Sequence, residues 1–435
     1  MAKLKILILC HDVIGEKMAG PGIRYQNIAK VLENDFSVTL GVFSKHGADN
    51  HENITAINPD SNDYREHFDD ADVVFAQWLS DSMLDYAKAR GVIVIFDLYA
   101  PVPVEYLANL AFAKSEPSPL QISNYESVIE MYRRYLSTGQ LFVCSNERQR
   151  DFWTGYTAAM NLLDVGTFKK KSRQDNFIIG PMGIDPNIPK SSKLMLRKKL
   201  GLKKSDFVLL WTGGIWDWFD AQIIIRAMSK LSDNSIKLVF LGTKHPNPIY
   251  KEEMNESTLA RKLASELGLT DKTVFFLDGW IPYEERGNYL LDADVAIYSD
   301  KESPETRLAH RTRVLDHFWS LLPTICPRGD FLSEKIEQKE LGIVVDERSE
   351  EAFVQAIIKL HSDTAFYTKI VNNIKQERQH FTWESTLSQL VDHLKTMNVP
   401  SLRKQIIKDS VASPRNTLPL LQRIKRAARI ILLGR

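Results

Sequence analysis

Residues 303–334, SPETRLAHRTRVLDHFWSLLPTICPRGDFLSE, hold the densest set of side chains able to manage a charged ligand. Arg307, Arg311 and Arg313 carry guanidinium groups, which stay ionised and match the geometry of phosphate oxygens. A helix is expected from about His310 onward, with Leu315, Phe318, Trp319 and Leu322 on its buried side and Arg313 and Asp316 together on the neighbouring stripe. A carboxylate near the start of such a helix, at the mouth of a sheet, suits paired hydrogen bonds to the hydroxyls of a ribose, so Asp316 is a candidate nucleotide ligand. Pro323 and the turn Arg328-Gly329-Asp330 set this helix between two strand-end loops, and Gly329 and Asp330 are counted with the same site. The plainer alternative is an ordinary helix whose Arg and Asp side chains pair on its surface.

Two glycine turns add to the set. Gly20, Pro21 and Gly22 precede a helix marked by Ile23, Ile28, Val31 and Leu32. Small residues there let a ligand approach free backbone N–H groups, which attract phosphate. A full GxGxxG fingerprint is absent, and a tight turn with a solvated Arg24 reads the same residues as well as a ligand role for Gly22. Gly213 and Gly214 end a second strand before IWDWFD and a further helix, a plausible diphosphate seat. Trp216, Trp218 and Phe219 could stack on a base or sugar, or fill a domain interface. No Asp, Glu or His spacing typical of a divalent-metal site occurs, so no metal and no cofactor beyond a nucleotide substrate is expected.

These loops need a scaffold, and the pattern supplies one. Short apolar runs at 4–10, 36–43, 72–77, 92–98, 141–145 and 176–181 alternate with helical stretches, then resume at 207–213, 236–242, 272–279, 293–299, 322–326 and 341–346 after a polar, Pro- and Lys-rich pause at 185–206. Alternation of this kind predicts parallel sheets with helices on both faces. An α/β chain of two doubly wound domains, 1–185 and 186–383, is expected, with ligands bound in the cleft between them, outside the C-terminal strand ends.

Composition narrows the function. The 435 residues are too many for one core, and 44% hydrophobic content is enough to fold throughout. Lys plus Arg (56) almost cancels Asp plus Glu (55), which argues against a chain built to coat nucleic acid. Cys10, Cys144 and Cys326 lie far apart in apolar runs without CxxC or CxxH spacing, so neither a disulfide framework nor a zinc site is indicated, and a reducing compartment fits. The run at 4–10 stops at Cys10, before His11 and Asp12, and reads as a first strand rather than a signal peptide. No stretch offers the ~20 apolar residues of a membrane span.

From residue 4 to about 397 the chain resembles glycosyltransferase family 4, retaining enzymes of GT-B fold. The likeness rests on PMGIDP (181–186), similar to the family's hinge, on HFTWESTLSQLVDHL (380–394), similar to its helix that crosses back to the first domain (384–397), and on the segment before Pro323. The family has a Glu, seven residues and a second Glu there; Asp316 stands at the second position and Leu308 at the first. The resemblance then implies that contact with the transferred sugar passes to Glu305 or is missing. No basic residue precedes Arg226 in GGIWDWFDAQIIIRA, where the family usually has Arg and Lys. With ETR and RTRVLD, these departures resemble a bacterial subgroup that assembles polysaccharides.

The resemblance implies a nucleotide-sugar donor (UDP-, GDP- or dTDP-linked), a glycan or lipid-linked saccharide acceptor, and front-face transfer without a protein nucleophile. Gly214, Arg311 and Arg313 would stabilise the leaving phosphate. Asp97, at a strand end where the family presents an acceptor-side polar residue, would orient the acceptor. A cytoplasmic protein is expected, and its basic amphipathic tail, 398–435, suits a peripheral place on the inner face of the cell membrane: residues 403–435 carry nine basic side chains against one acidic, Asp409, and LPLLQRIKRAARIILLGR interleaves them with apolar residues at helical spacing. Such a helix can lie on an anionic membrane, each basic residue contributing ~1 kcal/mol; a docked terminal helix or an arm for a partner reads it too. Two other functions stay open: a nucleotide-binding scaffold subunit without turnover, if Leu308 removes an essential contact, and a GT-B sugar-nucleotide epimerase.

Overall fold

Strands covered by helices on both faces need apolar side chains on both, which is why these segments are continuous apolar runs rather than alternating ones. The computed structural model describes residues 3–16, 18–43, 54–57, 63–163, 176–190, 195–242, 254–346 and 348–411. Strands β1 (Lys5–Cys10), β2 (Ser37–Phe43), β3 (Ile54–Ile57), β4 (Val73–Ala76), β5 (Ile93–Asp97), β6 (Leu141–Cys144) and β7 (Phe177–Ile179) form a parallel sheet in the order β3-β2-β1-β4-β5-β6-β7. Strands β8 (Phe207–Thr212), β9 (Ile236–Leu241), β10 (Val274–Leu277), β11 (Val295–Ile297), β12 (Thr324–Pro327) and β13 (Gly342–Val345) form the second, in the order β10-β9-β8-β11-β12-β13. In each sheet the order of the strands reverses once, between β1 and β4 and between β8 and β11, while the strands stay parallel, and a doubly wound sheet opens its ligand crevice at that switch. Ile8, Leu9, Val74 and Ile95 in one sheet and Leu209, Leu210, Ala296 and Ile325 in the other are fully buried.

Three features differ from the sequence reading. β3 has the sequence ITAI between polar residues, too short and too little apolar to stand out, and it survives as an edge strand paired to β2 from Leu40 to Phe43. Residues 101–125, where no helix was marked in the sequence, belong mostly to two helices, Val102–Phe112 and Pro119–Thr138. Ser118 caps the second: its hydroxyl accepts from the Gln121 amide, and the Gln121 side chain accepts from the Ser118 amide, a reciprocal capping box. The polar pause contains a short helix, Leu196–Leu200.

The chain passes between the two sheets twice. Ile184 and Thr382 form a parallel bridge, with Ile184 N–H donating to the Phe381 carbonyl (2.8 Å) and Trp383 N–H to that of Ile184 (3.3 Å). Arg378 fastens the pair by donating to the carbonyls of Pro186 and Asp185 at 2.7 and 3.0 Å. Helices Trp383–Thr386 and Ser388–Thr396 then pack back on the first domain, where Ile179 N–H donates to the Gln389 side chain at 3.1 Å. The start of the basic tail is a helix, Val399–Val411, packed on helix Asp81–Arg90, with Arg403 donating to the Ala71 carbonyl (2.9 Å) and paired with Asp72 (3.0 Å). For these residues the docked-helix reading holds; LPLLQRIKRAARIILLGR lies outside the described residues. Among the described residues no helix is long and apolar enough to cross a membrane.

Candidate active site

The C-terminal strand ends of both sheets open onto one cleft of about 780 Å³, lined from both sides. On the second domain, the helix that bears the expected nucleotide ligands starts at Arg313 rather than His310 and ends at Trp319. Its position is fixed from beneath by buried His317, whose ring nitrogens meet Thr212 Oγ1 of β8 at 2.9 Å and Thr324 Oγ1 of β12 at 3.1 Å. Burial, then the nearby Arg313 charge, push His317 down to about 3, so it spans the two strands as a neutral ring.

That anchorage holds Arg313 over the first glycine turn. Its Nη2 donates to the Gly214 carbonyl at 2.9 Å, and the guanidinium lies 4.0 Å from the Phe219 ring centroid. Its Nη1 has no hydrogen-bond partner, and among the described residues no carboxylate pairs with it. Burial, and then the positive charge of Arg311, push Arg313 down to about 9. A desolvated cation without a counter-ion is costly unless an anion completes it. Gly213 beside it has φ +76°, a left-handed conformation that suits glycine, with open space where a side chain would stand.

The neighbouring loop is strapped down. Phe219 and Asp300 form an antiparallel bridge, Asp220 N–H donates to the Ser299 carbonyl (3.0 Å), and Lys301 N–H to that of Trp218 (2.9 Å). Trp216 and Trp218 are thereby stacked on each other, 5.4 Å between centroids and 8° between planes, at the cleft wall. One turn along the helix from Arg313, Asp316 also lines the cleft. Its Oδ1 accepts from Arg286 Nε at 3.0 Å, and Arg286 is held between the rings of Tyr283 (3.5 Å) and Trp319 (4.0 Å).

Arg311 has a different surrounding. Its terminal nitrogens donate to both oxygens of Glu305 at 2.7 Å each, and Nη2 also to Asp300 Oδ2 at 3.2 Å. Asp300 in turn accepts from Arg348 at 3.3 Å, and burial pushes its carboxyl up to about 6 against the pull of Arg311. Arg311 and Glu305 face the cleft as a closed pair, and among the described residues that line this wall Arg313 is the cation without a carboxylate.

Four expected site residues have structural employment instead. Asp97 is fully buried and takes both of its hydrogen bonds from Arg24, from Nε and Nη2 at 2.7 Å each, while Nη2 also donates to the Gly180 carbonyl (2.8 Å). It orients no acceptor in this arrangement, and Arg24 is not solvated. Gly22 lies off the cleft: a Cβ there would stand 2.1 Å from the Val13 carbonyl oxygen, so the missing side chain makes room for the chain's own loop. Gly329 is also off the lining, its carbonyl accepting from Arg148 of the first domain at 2.9 Å. Buried Asp330 caps helix Phe331–Gln338 by accepting from the Leu332 and Ser333 amides, with Tyr298 on its second oxygen. Asp330 ahead of FLSE is a helix-start signature that would have marked it.

The structure also adds residues. Leu308 offers its carbonyl to Asn146 (3.3 Å) and Gln149 (3.0 Å), and Arg148 reaches the Arg307 carbonyl (3.1 Å) and Glu334, so this segment clasps the two domains. His310 lines the cleft with neither ring nitrogen partnered among the described residues, and burial pushes it down to about 3, leaving a neutral ring with one donor and one acceptor to spare. Glu105, from helix Val102–Phe112, faces the same space. Neither His310, Glu105 nor Arg286 had any spacing signal in the sequence. Among the described residues no group of three His, Cys, Asp or Glu side chains could hold a metal ion.

Residues 192–377 match the family model of the glycosyl transferases group 1. An uncharacterized glycosyltransferase of Methanocaldococcus jannaschii is 23% identical over 216 residues, 49% of this chain and 51% of its own. The D-inositol 3-phosphate glycosyltransferase of Corynebacterium glutamicum is 25% identical over 199 residues, 45% of this chain and 44% of its own. The chain spans about half the length of these curated relatives. Among solved structures, Anabaena HepE in complex with UDP aligns with TM-score 0.65 at 14% identity, over 91% of this chain and 100% of that one. WaaG, a glycosyltransferase involved in lipopolysaccharide biosynthesis, aligns with TM-score 0.59 at 15% identity, over 94% and 100%. The fold is GT-B. The family match covers the second GT-B domain, including Arg311, Arg313 and Asp316; for the first GT-B domain the likeness is one of fold.

Proposed function

We propose that the chain is a metal-independent, retaining GT-B glycosyltransferase of the family 4 type, which moves a hexosyl group from a nucleotide sugar to a glycan or lipid-linked saccharide. The reading places it on the cytoplasmic side of a bacterial membrane. The observation that carries it is Arg313, a desolvated guanidinium that lacks a carboxylate partner among the described residues, beside the Gly213-Gly214 turn and one helical turn from Asp316. As the donor's glycosidic C–O bond lengthens, charge develops on the leaving phosphate oxygen, and a cation already fixed there lowers the barrier without reorganisation. Asp316, braced by Arg286, would accept from the ribose hydroxyls, Trp216 would meet the base, and neutral His310 would hydrogen-bond the sugar or phosphate.

Thermal-shift titration with UDP, GDP, dTDP and ADP tests this directly. One nucleotide is expected to raise the melting temperature saturably. Asp316→Ala should weaken that nucleotide about 10- to 150-fold, the usual loss for a hydrogen bond to a charged group. If no nucleotide stabilises the wild type, the donor assignment fails. Nucleotide binding without acceptor-dependent donor consumption at any pH would instead make the chain a scaffold subunit, or an epimerase if the free nucleotide sugar is interconverted.

A further inference from the structure

The turn between helix Pro304–Leu308 and the helix that starts at Arg313 puts His310 on the second-domain wall of the cleft. Its ring packs on that of Phe331, with 5.8 Å between centroids and 27° between planes. On this wall, buried nitrogens without a hydrogen-bond partner among the described residues are Trp218 Nε1, Arg311 Nε, Arg313 Nη1 and both ring nitrogens of His310. The set is uneven in what it asks of a ligand. Indole and guanidinium nitrogens only donate, and a diphosphate, which only accepts, can complete all three of those side chains. A neutral imidazole is different, because one of its nitrogens carries no proton and must accept. Burial, then the charge of Arg24 from the first domain, hold His310 in that neutral form. Ionised phosphate oxygens have no proton to give it, and a buried acceptor left without a donor is costly. A hydroxyl group can supply one.

We propose that His310 accepts a hydrogen bond from one hydroxyl of the transferred sugar, and so selects donors that carry this hydroxyl over their deoxy counterparts. This inference rests on the glycosyltransferase reading above. The sugar hangs from the diphosphate and must reach toward the first domain, where an acceptor would meet it. His310, three residues ahead of Arg313 and within reach of the Arg24 charge, is placed along that path. The protonated ring nitrogen donates to a neighbouring oxygen of the same ligand. Packing on Phe331 fixes the ring plane, so the ring does not turn away when the hydroxyl is missing. A pocket built to pair with a hydroxyl rejects the ligand that lacks it, because the pocket's own polar atom is then left without a partner.

The test is calorimetric and uses the full chain. Its ligands are the nucleoside diphosphate that raises the melting temperature, the glucosyl, galactosyl, mannosyl and N-acetylglucosaminyl conjugates of that nucleotide, and the monodeoxy analogues of the conjugate bound most tightly. The wild type should bind one monodeoxy analogue about 10- to 100-fold more weakly than its parent. His310→Phe keeps a ring on Phe331 and removes both nitrogens. It should weaken the parent to the level of that analogue, while the analogue and the nucleoside diphosphate bind as before. His310→Gln, which restores an acceptor and a donor, should regain part of the discrimination. An equal loss for nucleoside diphosphate and conjugate in His310→Phe would put the ring on the phosphate and overturn the proposal. Wild-type discrimination retained in that variant would leave the nitrogens to water and overturn it as well. Equal affinity of the wild type for the parent and every monodeoxy analogue would overturn it without any variant. A wild type that binds no nucleotide, or binds one but none of its sugar conjugates, overturns the glycosyltransferase reading instead.

Discussion

Arg313→Met should separate binding from folding: the variant is expected to melt at or slightly above the wild-type temperature without ligand, and to lose its response to nucleotide. The sign follows from the surroundings. In the free protein the guanidinium is desolvated with one unsatisfied nitrogen, a cost that methionine removes while keeping most of the aliphatic stem against Phe219. With a diphosphate present the same group is the fixed cation of the site, so its loss should weaken the nucleotide about 10- to 150-fold and slow transfer about 10²- to 10³-fold. Calorimetry and initial rates measure the two losses, and Arg313→Lys should recover part of the first, because a point charge remains without the planar fork. Arg311→Met should behave oppositely. It leaves Glu305 and Asp300 buried beside each other without their shared cation, so the expected result is poor folding rather than selective loss of binding. Equal behaviour of the two variants would refute the division of labour drawn between them.

Asp97→Ala is the second large effect, and it is one of stability. It strands Arg24, which has no exposed surface, without its carboxylate, at a cost of about 3–5 kcal/mol. Urea denaturation of the first domain's transition would read this as a lower midpoint with little change in slope. The double variant Arg24→Met/Asp97→Leu should regain much of the loss, since an apolar pair of similar volume replaces a buried ion pair at small cost. Had Asp97 served the acceptor, Asp97→Ala would lower transfer at unchanged stability, and the double variant would be inactive.

How much of this was legible depends on the range of the interaction. All the apolar runs that predicted strands became strands, because a strand buried on both faces records its environment in its own residues; β3, an edge strand of four residues, does not. The second-domain wall of the cleft was partly open to reading. Gly213, Gly214 and Trp216 sit in the loop directly after β8, where the fold itself places ligands, and Arg313 and Asp316 sit on the short helix that lines the same cleft. Asp97 sat at such a strand end too, yet its partner Arg24 lies 73 positions away, and only the packing of helix Gly20–Leu32 against the sheet converts a candidate ligand into a buried ion pair. Glu105 is the converse. On its own helix it is the one acid, and only the fold brings it to the cleft that Glu305 and Arg311 also line, neither of which is near it in sequence.

The double crossing at Ile184 and Thr382 bears on how the protein is made. The first domain is assembled from two pieces of chain, residues up to about 180 and those after Trp383, with the whole second domain inserted between. On the ribosome the seven strands of the first sheet emerge early, but Ser388–Thr396, which covers β7, and Val399–Val411, which lies on Asp81–Arg90, come last. At about 5–20 residues per second, the ~200 intervening residues impose a delay of roughly 10–40 s. During that interval the β7 face has no cover, and a chaperone acting on the nascent chain would find its binding surface there.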